Sequence, residues 1–447
     1  MKSKLKQMAL MTMVAVVLLV GCGGGGGGGV GSDAHANVYY VDTSGNDVHQ
    51  GTASMPWRTM QKCADTIQGG DTCILREGEY TENVTLNRKG SEGNFIELKS
   101  EVKHKAIIKG EITLTNTSGY IKIDGLKIVL PDGYQSGISI NGNFNQVKNN
   151  YVTTSSTSLG SNNTAIRAGG NNHVVENNYV EKVCFGYELS GRGHRFSGNE
   201  ATKLKLNGSC GDVDYMRFFG ANHMIDNNYF HDINMSEVGQ AHVDCFQTFD
   251  DIGEDSSISN VVIERNVCVN AAQGIMAEGV RYLKSSGLTI RNNVFTRNGA
   301  WCAIAKDIAN VHYYNNTCDT TGGIHGLWCS GVNHVGSCEF KNNIIYGTGT
   351  MYGVMETASL IDGTTGAPGK NNLLFNPNQT IAGYDNDIKN RNPLFVGGDY
   401  LNYRITESSP AVNAGLNIIQ WGNPTDILGV ARPQGLYWDI GAYEYQQ

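Results

Sequence analysis

The chain has 447 residues, 57 of them Gly and only 8 Pro, with 40% hydrophobic and 17% charged content and a net charge of −8. It is too apolar and too weakly charged for a disordered chain. Its Gly lacks the three-residue period of collagen, and its composition lacks the Ala, Glu, Lys and Leu of long helices. Length alone suggests two or three domains, but abundant Gly and Asn tolerate left-handed backbone angles and so predict very many turns. The expectation is an all-β chain of short strands.

In chain order, the first element is an address. Lys2, Lys4 and Lys6 precede an apolar run from Met8 to Val20, the pattern of a secretory signal and too short for a comfortable membrane span. Leu19-Val20-Gly21-Cys22 resembles a bacterial lipobox, which makes residues 1–21 a lipoprotein signal peptide and Cys22 the lipidated residue; the alternative is an ordinary signal with a spare Cys. Residues 22–37 then form a Gly-rich tether built on the unbroken run Gly23–Gly29. No Asp follows Cys22 to signal inner-membrane retention, so the expected location is the bacterial cell envelope. There the protein would be an outer-membrane lipoprotein, periplasmic or surface-exposed, touching membrane through its lipid only. Loss of the three signal lysines moves the net charge to about −11. That disfavours nucleic acid as a partner and leaves an acidic polysaccharide to a local basic groove; the chain is expected to act as a monomer.

Eleven Cys less the lipidated one leaves ten, an even number suited to an oxidising compartment. Cys63 and Cys73 form the expected disulfide, across a turn between a helix and a strand. Cys268 and Cys318 stand at equivalent places two repeats apart, too far to bond to each other, and are expected as small core residues. No Cys-x-x-Cys occurs, so no zinc site is expected. Ahead of the repeats, the segment from Pro56 to Ala64 reads as a short amphipathic helix that caps the open end of an apolar core.

The main signal is an irregular repeat. Asn149-Asn150-Tyr151-Val152 returns as Asn177-Asn178-Tyr179-Val180, Asn227-Asn228-Tyr229-Phe230, Arg265-Asn266-Val267-Cys268, Asn292-Asn293-Val294-Phe295, Asn315-Asn316-Thr317-Cys318 and Asn342-Asn343-Ile344-Ile345, with Gly198-Asn199 as a degenerate copy. Each copy sits between short apolar strands that cannot bury their own faces. Stacking coils at the ~4.8 Å strand spacing pairs the strands in parallel and makes one continuous core, and Asn at one turn of every coil can bond along a ladder. This is a single right-handed parallel β-helix with a short N-terminal capping helix, over residues 38–375, followed by a C-terminal tail or cap over 376–447. A β-propeller, the other repeat architecture, needs longer and more regular repeats.

Three stretches carry a resemblance. The segment from Val38 to Leu86, with Gly70-Asp71-Thr72 and Gly78-Glu79-Tyr80, resembles the start of secreted bacterial right-handed β-helix proteins. Gly93-Asn94-Phe95-Ile96-Glu97-Leu98 to Ile107-Ile108-Lys109-Gly110 resembles the first coil of the chondroitinase B and alginate lyase group. Asp426-Ile427-Leu428-Gly429 and Asp439-Ile440-Gly441-Ala442-Tyr443-Glu444-Tyr445 resemble the usual tail of that superfamily. The resemblance implies the β-helix fold and a polysaccharide partner, with lyases, hydrolases, epimerases and adhesins all on this fold. The Lys and Arg pair of the lyase families finds no residue-by-residue match.

Stacked coils can be read as columns. Aligned by apolar alternation, Ile138, Ile166, Tyr187, Met216, Phe246 and Ile275 point inward, while Ser139, Arg167, Glu188, Arg217, Gln247 and Met276 point outward. In the same register Asp214 stacks on Asp244 and Asp212 on His242. Two acids on adjacent rungs repel unless one is protonated or a cation lies between them, so folding alone gives little reason for them. The candidate catalytic residues are therefore Asp214, Asp244, Arg217, His242 and Glu188. Arg167, Gln247 and Glu278 are candidate substrate contacts, Asp307 extends the polar face, and the direction of Lys306 stays open. Calcium is the cofactor that Asp212, Asp214 and Asp244 would hold. The structural alternatives are a solvated Arg–Glu ladder, turn-capping Asp residues, structural His223 and His231, and a solvated loop over Asp250–Asp255. Two reactions fit: β-elimination with a cation neutralising a uronate carboxylate, and glycoside hydrolysis by a carboxyl pair. The other class is a non-catalytic polysaccharide-binding or cell-surface structural protein.

Overall fold

The computed structural model describes residues 36–446 except 132, 134–135, 156–162, 205–209, 234–241, 251–255, 280–284, 331–337, 356–368, 382–385, 398–401 and 423. The signal sequence and Cys22 lie outside the described residues, as does the acidic loop after Asp250. Among the described residues no helix is long and apolar enough to cross a membrane.

The chain is a right-handed parallel β-helix. Each coil runs through three short strands, as in Val174–Glu176, Tyr179–Glu181 and Phe185–Leu189, and the next coil begins at Arg195–Ser197. Repetition builds three sheets whose strand-to-strand pairings are all parallel. Among the described residues the first sheet has 14 strands from Val38–Val41 to Gly369–Lys370, the second has 11 from Val84–Leu86 to Thr350–Met355, and the third has 13 from Gly78–Tyr80 to Ile388–Lys389.

The Asn pairs form the turn between first and third sheets, and the two positions do different work. The first needs a left-handed backbone: φ is 56° at Asn149 and Asn177, 65° at Gly198, 58° at Asn227 and 54° at Arg265. Asn and Gly reach that region at the least steric cost. The second position is buried and builds the ladder. Asn178 Oδ1 accepts from the backbone N–H and from Nδ2 of Asn150, at 2.9 and 3.1 Å, and Asn178 Nδ2 donates to Val147 O at 2.9 Å and Asn199 Oδ1 at 3.0 Å. The same exchange continues through Asn228, Asn266, Asn293, Asn316, Asn343 and Asn372 to Asp387.

A second ladder is histidine. His173, His194 and His223 are buried and stacked, with centroids 4.9 Å apart, and each Nδ1 accepts a backbone N–H from the preceding coil. Burial holds their pKa values near 3, 4 and 4, so the rings are neutral. His223 is thus structural, as expected. His231 instead faces Glu200 and Asp232, at 3.2 and 3.0 Å.

The capping helix spans Met60–Thr66, with Thr59 as its N-cap, and buries Met60, Cys63 and Ala64. It starts later than the sequence suggested, because Trp57 instead bridges Val41 in parallel. Cys63 bonds to Cys73. The expectation for Cys268 and Cys318 is corrected: Cys268 bonds to Cys245 and Cys318 to Cys302. The partner sits on the second-sheet strand of the preceding coil, so the bond crosses the solenoid interior and ties one coil to the next, with Cα–Cα distances of 6.1 and 6.0 Å. Cys184–Cys210 and Cys329–Cys338 complete the set.

The tail packs back on the third sheet and the Asn turn. Asn315 Nδ2 donates to Asp439 O, Ala442 N donates to Thr317 Oγ1, and Val294 packs with Tyr403, Ile427 and Tyr443. Its anchor is the fully buried pair Arg432–Glu444 at 2.7 Å.

Candidate functional site

The second sheet carries the predicted columns in the predicted register. Ile138, Ile166, Tyr187, Met216, Phe246 and Ile275 are successive Cα partners, as are Ser139, Arg167, Glu188, Arg217, Gln247 and Met276. Asp214 pairs with Asp244, and Asp244 with Gln273. Strict alternation would turn Asp214 inward with Met216. The strand instead places both Tyr215 and Met216 in the core, where the Tyr215 hydroxyl donates to His231 O at 2.8 Å. Asp214 thereby shares a face with Arg217, three residues on.

Arg217 organises the cluster. Its Nε donates to Asp214 Oδ2 and its Nη2 to Asp212 Oδ2, each at 2.6 Å. The guanidinium lies 3.9 Å from the Phe185 ring centroid and 5.4 Å from that of Phe249, an arrangement that adds cation–π attraction to the ion pairs. Beneath it Asp214 and Asp244 are both 0% exposed. Asp214 Oδ1 accepts the backbone N–H of Asp244 at 3.2 Å, and Gln247 Nε2 donates to Asp244 Oδ2 at 3.1 Å. Burial pushes the Asp214 carboxyl up to about 7 against the pull of Arg217. Burial and then the charge of Asp214 push Asp244 well above the carboxylate range. The pair therefore holds a proton near neutral pH.

Asp244 Oδ1, Gln247 Oε1 and Gln273 Oε1 are buried, and no described group donates to them. Buried oxygens without donors are costly, so three on neighbouring positions mark a place built for something other than packing.

The remaining predicted residues spread along the same sheet. Arg167 reaches Glu188 at 3.0 Å, with its side chain 40% exposed. The expected three-member charge ladder stops there, because the Asp residues hold Arg217. Glu278 pairs with Lys306 at 3.3 Å, and the shared register sets Lys306 outward. His242 is exposed next to Val243, and none of the described hydrogen bonds joins its ring to the acids. Asp307 is buried with φ 52°, at the turn beyond the strand. For calcium the donor set fits poorly: Asp212 and Asp214 are already bound to Arg217. Among the described residues no three His, Cys, Asp or Glu side chains are grouped to hold a metal. A cavity of about 670 Å³ lies between the third sheet and the tail, lined by Arg297, Asp319, Tyr346, Phe395 and Tyr403 among others; it shares no residue with the columns.

Sequence reasoning missed the histidine ladder, although each of its members stands five residues before a ladder Asn. It also missed Phe185 and Phe249, which the column alignment would have placed around Arg217.

The fold and this outward cluster define a right-handed β-helix protein with a polar, partly buried site on one sheet. Residues 39–209 match the Pel9A-like right-handed β-helix region family. The uncharacterized protein YwoF of Bacillus subtilis (strain 168) is 28% identical over 79 residues, 18% of this chain and 17% of that protein. The GH136 lacto-N-biosidase from Eubacterium ramulus superposes with a TM-score of 0.54 at 12% identity, over 76% of this chain and 67% of that one. The PL6 family alginate lyase AlyGC gives 0.52 at 14% identity, over 87% of this chain and 58% of that one.

Proposed function

We propose that the protein binds a polysaccharide along the outer face of the second sheet and cleaves it by acid–base chemistry centred on Asp214 and Asp244. The carrying observation is the stacked, buried carboxyl pair with its raised pKa values beside three donorless oxygens. A fold seeking only stability would put apolar or fully satisfied side chains there. A neutral carboxylic acid at physiological pH is a proton donor, and its ionised neighbour is a base or nucleophile. Adjacent rungs hold the two at roughly the ~5 Å separation of retaining glycosidases. Arg217 covers the pair, and it is the group that a uronate carboxylate would draw onto itself. An acidic polymer would thus uncover the acids as it binds. By their names, two proteins of similar fold act on carbohydrate, a lacto-N-biosidase and an alginate lyase, which supports this substrate class.

A second reading is β-elimination. Lys306 favours it: an outward lysine, 40% exposed, on the same sheet as Arg167 and Arg217 suits a base that works beside uronate-neutralising cations. Envelope anchoring through Cys22, and action as a monomer, complete the proposal and rest on the N-terminal sequence and on the single solenoid.

The test is a panel of acidic and neutral polysaccharides read by ultraviolet absorbance of unsaturated uronate and by reducing ends. Reducing ends without absorbance support hydrolysis, and both together support elimination. Neither signal across the panel overturns the proposal.

A further inference from the structure

One feature of the same sheet is used by none of this chemistry. Trp301 follows Gln273 in the column of Asp214 and Asp244, and His325 follows Trp301. Trp328 stands in the column of Arg217, two rungs past Met276. The Trp301 and His325 rings stack at 4.2 Å and 27°. Trp328 meets them edge-on, 6.1 Å from Trp301 at 79° and 6.3 Å from His325 at 82°. The result is a right-angled corner of aromatic surface, with all three side chains only partly buried. Core packing does not explain it, since the inward places on these strands belong to Ala303, Ala305, Leu327 and Cys329. The Trp328 Nε1–H is buried without an acceptor among the described residues, and an indole N–H in that state lacks the partner it usually has. His325 Nδ1, by contrast, is paired with Thr350 Oγ1 at 2.7 Å.

We infer that Trp301, His325 and Trp328 form a sugar-stacking subsite for the same polysaccharide, downstream of the cleavage point. The inference rests on the proposed function. Its occupant is a pyranose ring, laid with its C–H face on the Trp301–His325 pair, with a hydroxyl oxygen accepting from Trp328 Nε1 once the indole turns to uncover it. The position fits a linear polymer running along the helix axis. Trp301 is two rungs from Asp244, roughly 10 Å at the ~4.8 Å rung spacing, about two sugar units along such a chain. Of the three donorless oxygens, Gln273 Oε1 stands on the rung between Asp244 and Trp301, on the side of the intervening sugar. Specificity then divides along the face, with charge read at Arg167 and Arg217 and ring shape read at the tryptophans.

The experiment uses the full chain and oligosaccharides of graded length, cut from whichever polymer of a polygalacturonate, alginate, chondroitin sulfate and β-glucan panel the wild type binds, with affinity measured by calorimetry. Trp301→Ala is expected to weaken long oligosaccharides about two- to ten-fold, the range for loss of an aromatic contact, and to leave disaccharides unchanged. Trp301→Tyr should restore most of the loss. Trp328→Phe keeps an aromatic side chain but removes the Nε1–H together with part of the indole surface, and should weaken long oligosaccharides alone, so the test survives even if an alanine variant fails to fold. Equal affinity of folded Trp301→Ala and Trp328→Phe with wild type at every length overturns the subsite and leaves the proposed function standing. Absence of wild-type binding to every polymer of the panel overturns both.

Discussion

The Asn ladder sets the sharpest test of the fold. In Asn178→Ala four side-chain hydrogen bonds vanish, two accepted from Asn150 and two donated to Val147 O and Asn199 Oδ1. The losses are unequal. Asn150 Nδ2 still donates to Ile123 O, and Asn199 Oδ1 still accepts from the backbone N–H of residue 178. The fully buried N–H of Asn150 is left with no partner. One orphaned buried donor costs about 1–3 kcal/mol and each weakened bond a fraction of that, so the expected loss is about 2–4 kcal/mol. The neighbouring Asn177→Gly is the control. Asn177 is exposed at φ 56°, and Gly198 fills the equivalent place on the next coil at φ 65°, so this change should stay within ~0.5 kcal/mol. Guanidinium unfolding followed by circular dichroism reads both, with an unchanged slope required for the comparison. Equal stability of the two variants, or the reverse order, would refute the ladder argument.

Three further outcomes concern stability. The buried histidines have folded pKa values near 3, 4 and 4 against ~6.5 unfolded. The unfolded chain therefore binds more protons, and stability should fall as pH drops from about 6.5 towards 4. Asp214 and Asp244 act in the opposite sense: the proton held by the folded state favours folding at low pH, and this contribution is lost as pH rises through about 7. His194→Asn, which copies Asn145 at the equivalent place of an earlier coil, should flatten the slope of stability against pH between 4 and 6.5 by about one proton; an unchanged slope contradicts the assignment. Replacing Cys245 and Cys268 together by Ala opens a link across 23 residues and should cost about 3 kcal/mol; wild-type stability would contradict its role as a staple. Arg432→Met strands Glu444 in a fully buried place and removes bonds to Asp439 O, Gly441 O and Asn292. It should destabilise by about 3–5 kcal/mol and expose the tail first to proteolysis, and an unchanged cleavage pattern would count against the tail's anchoring.

The fold was largely legible because repetition writes each constraint many times. The left-handed turn selects Asn or Gly at one position, the ladder selects Asn at the next, and apolar alternation fixes the register of the second sheet down to Asp214 on Asp244. What stayed hidden depends on distance across the solenoid. Cys245 and Cys268 lie on different sheets, and only the solenoid's cross-section brings them together. The site was half legible. Its register followed from alternation, but the paired inward turn of Tyr215 and Met216, which brings Asp214 beside Arg217, breaks alternation and has no sequence marker. Burial of both acids under Arg217 was equally invisible, since an outward column reads as exposed until Phe185 and Phe249 are seen beside the guanidinium.

The most direct test of the central claim is turnover of Asp244→Asn beside wild type on the polymer that the wild type cleaves, with circular dichroism confirming the fold. Loss of general acid–base chemistry predicts a fall of about 10²- to 10⁴-fold in kcat. A folded Asp244→Asn protein that turns over within a few-fold of wild type would contradict the account.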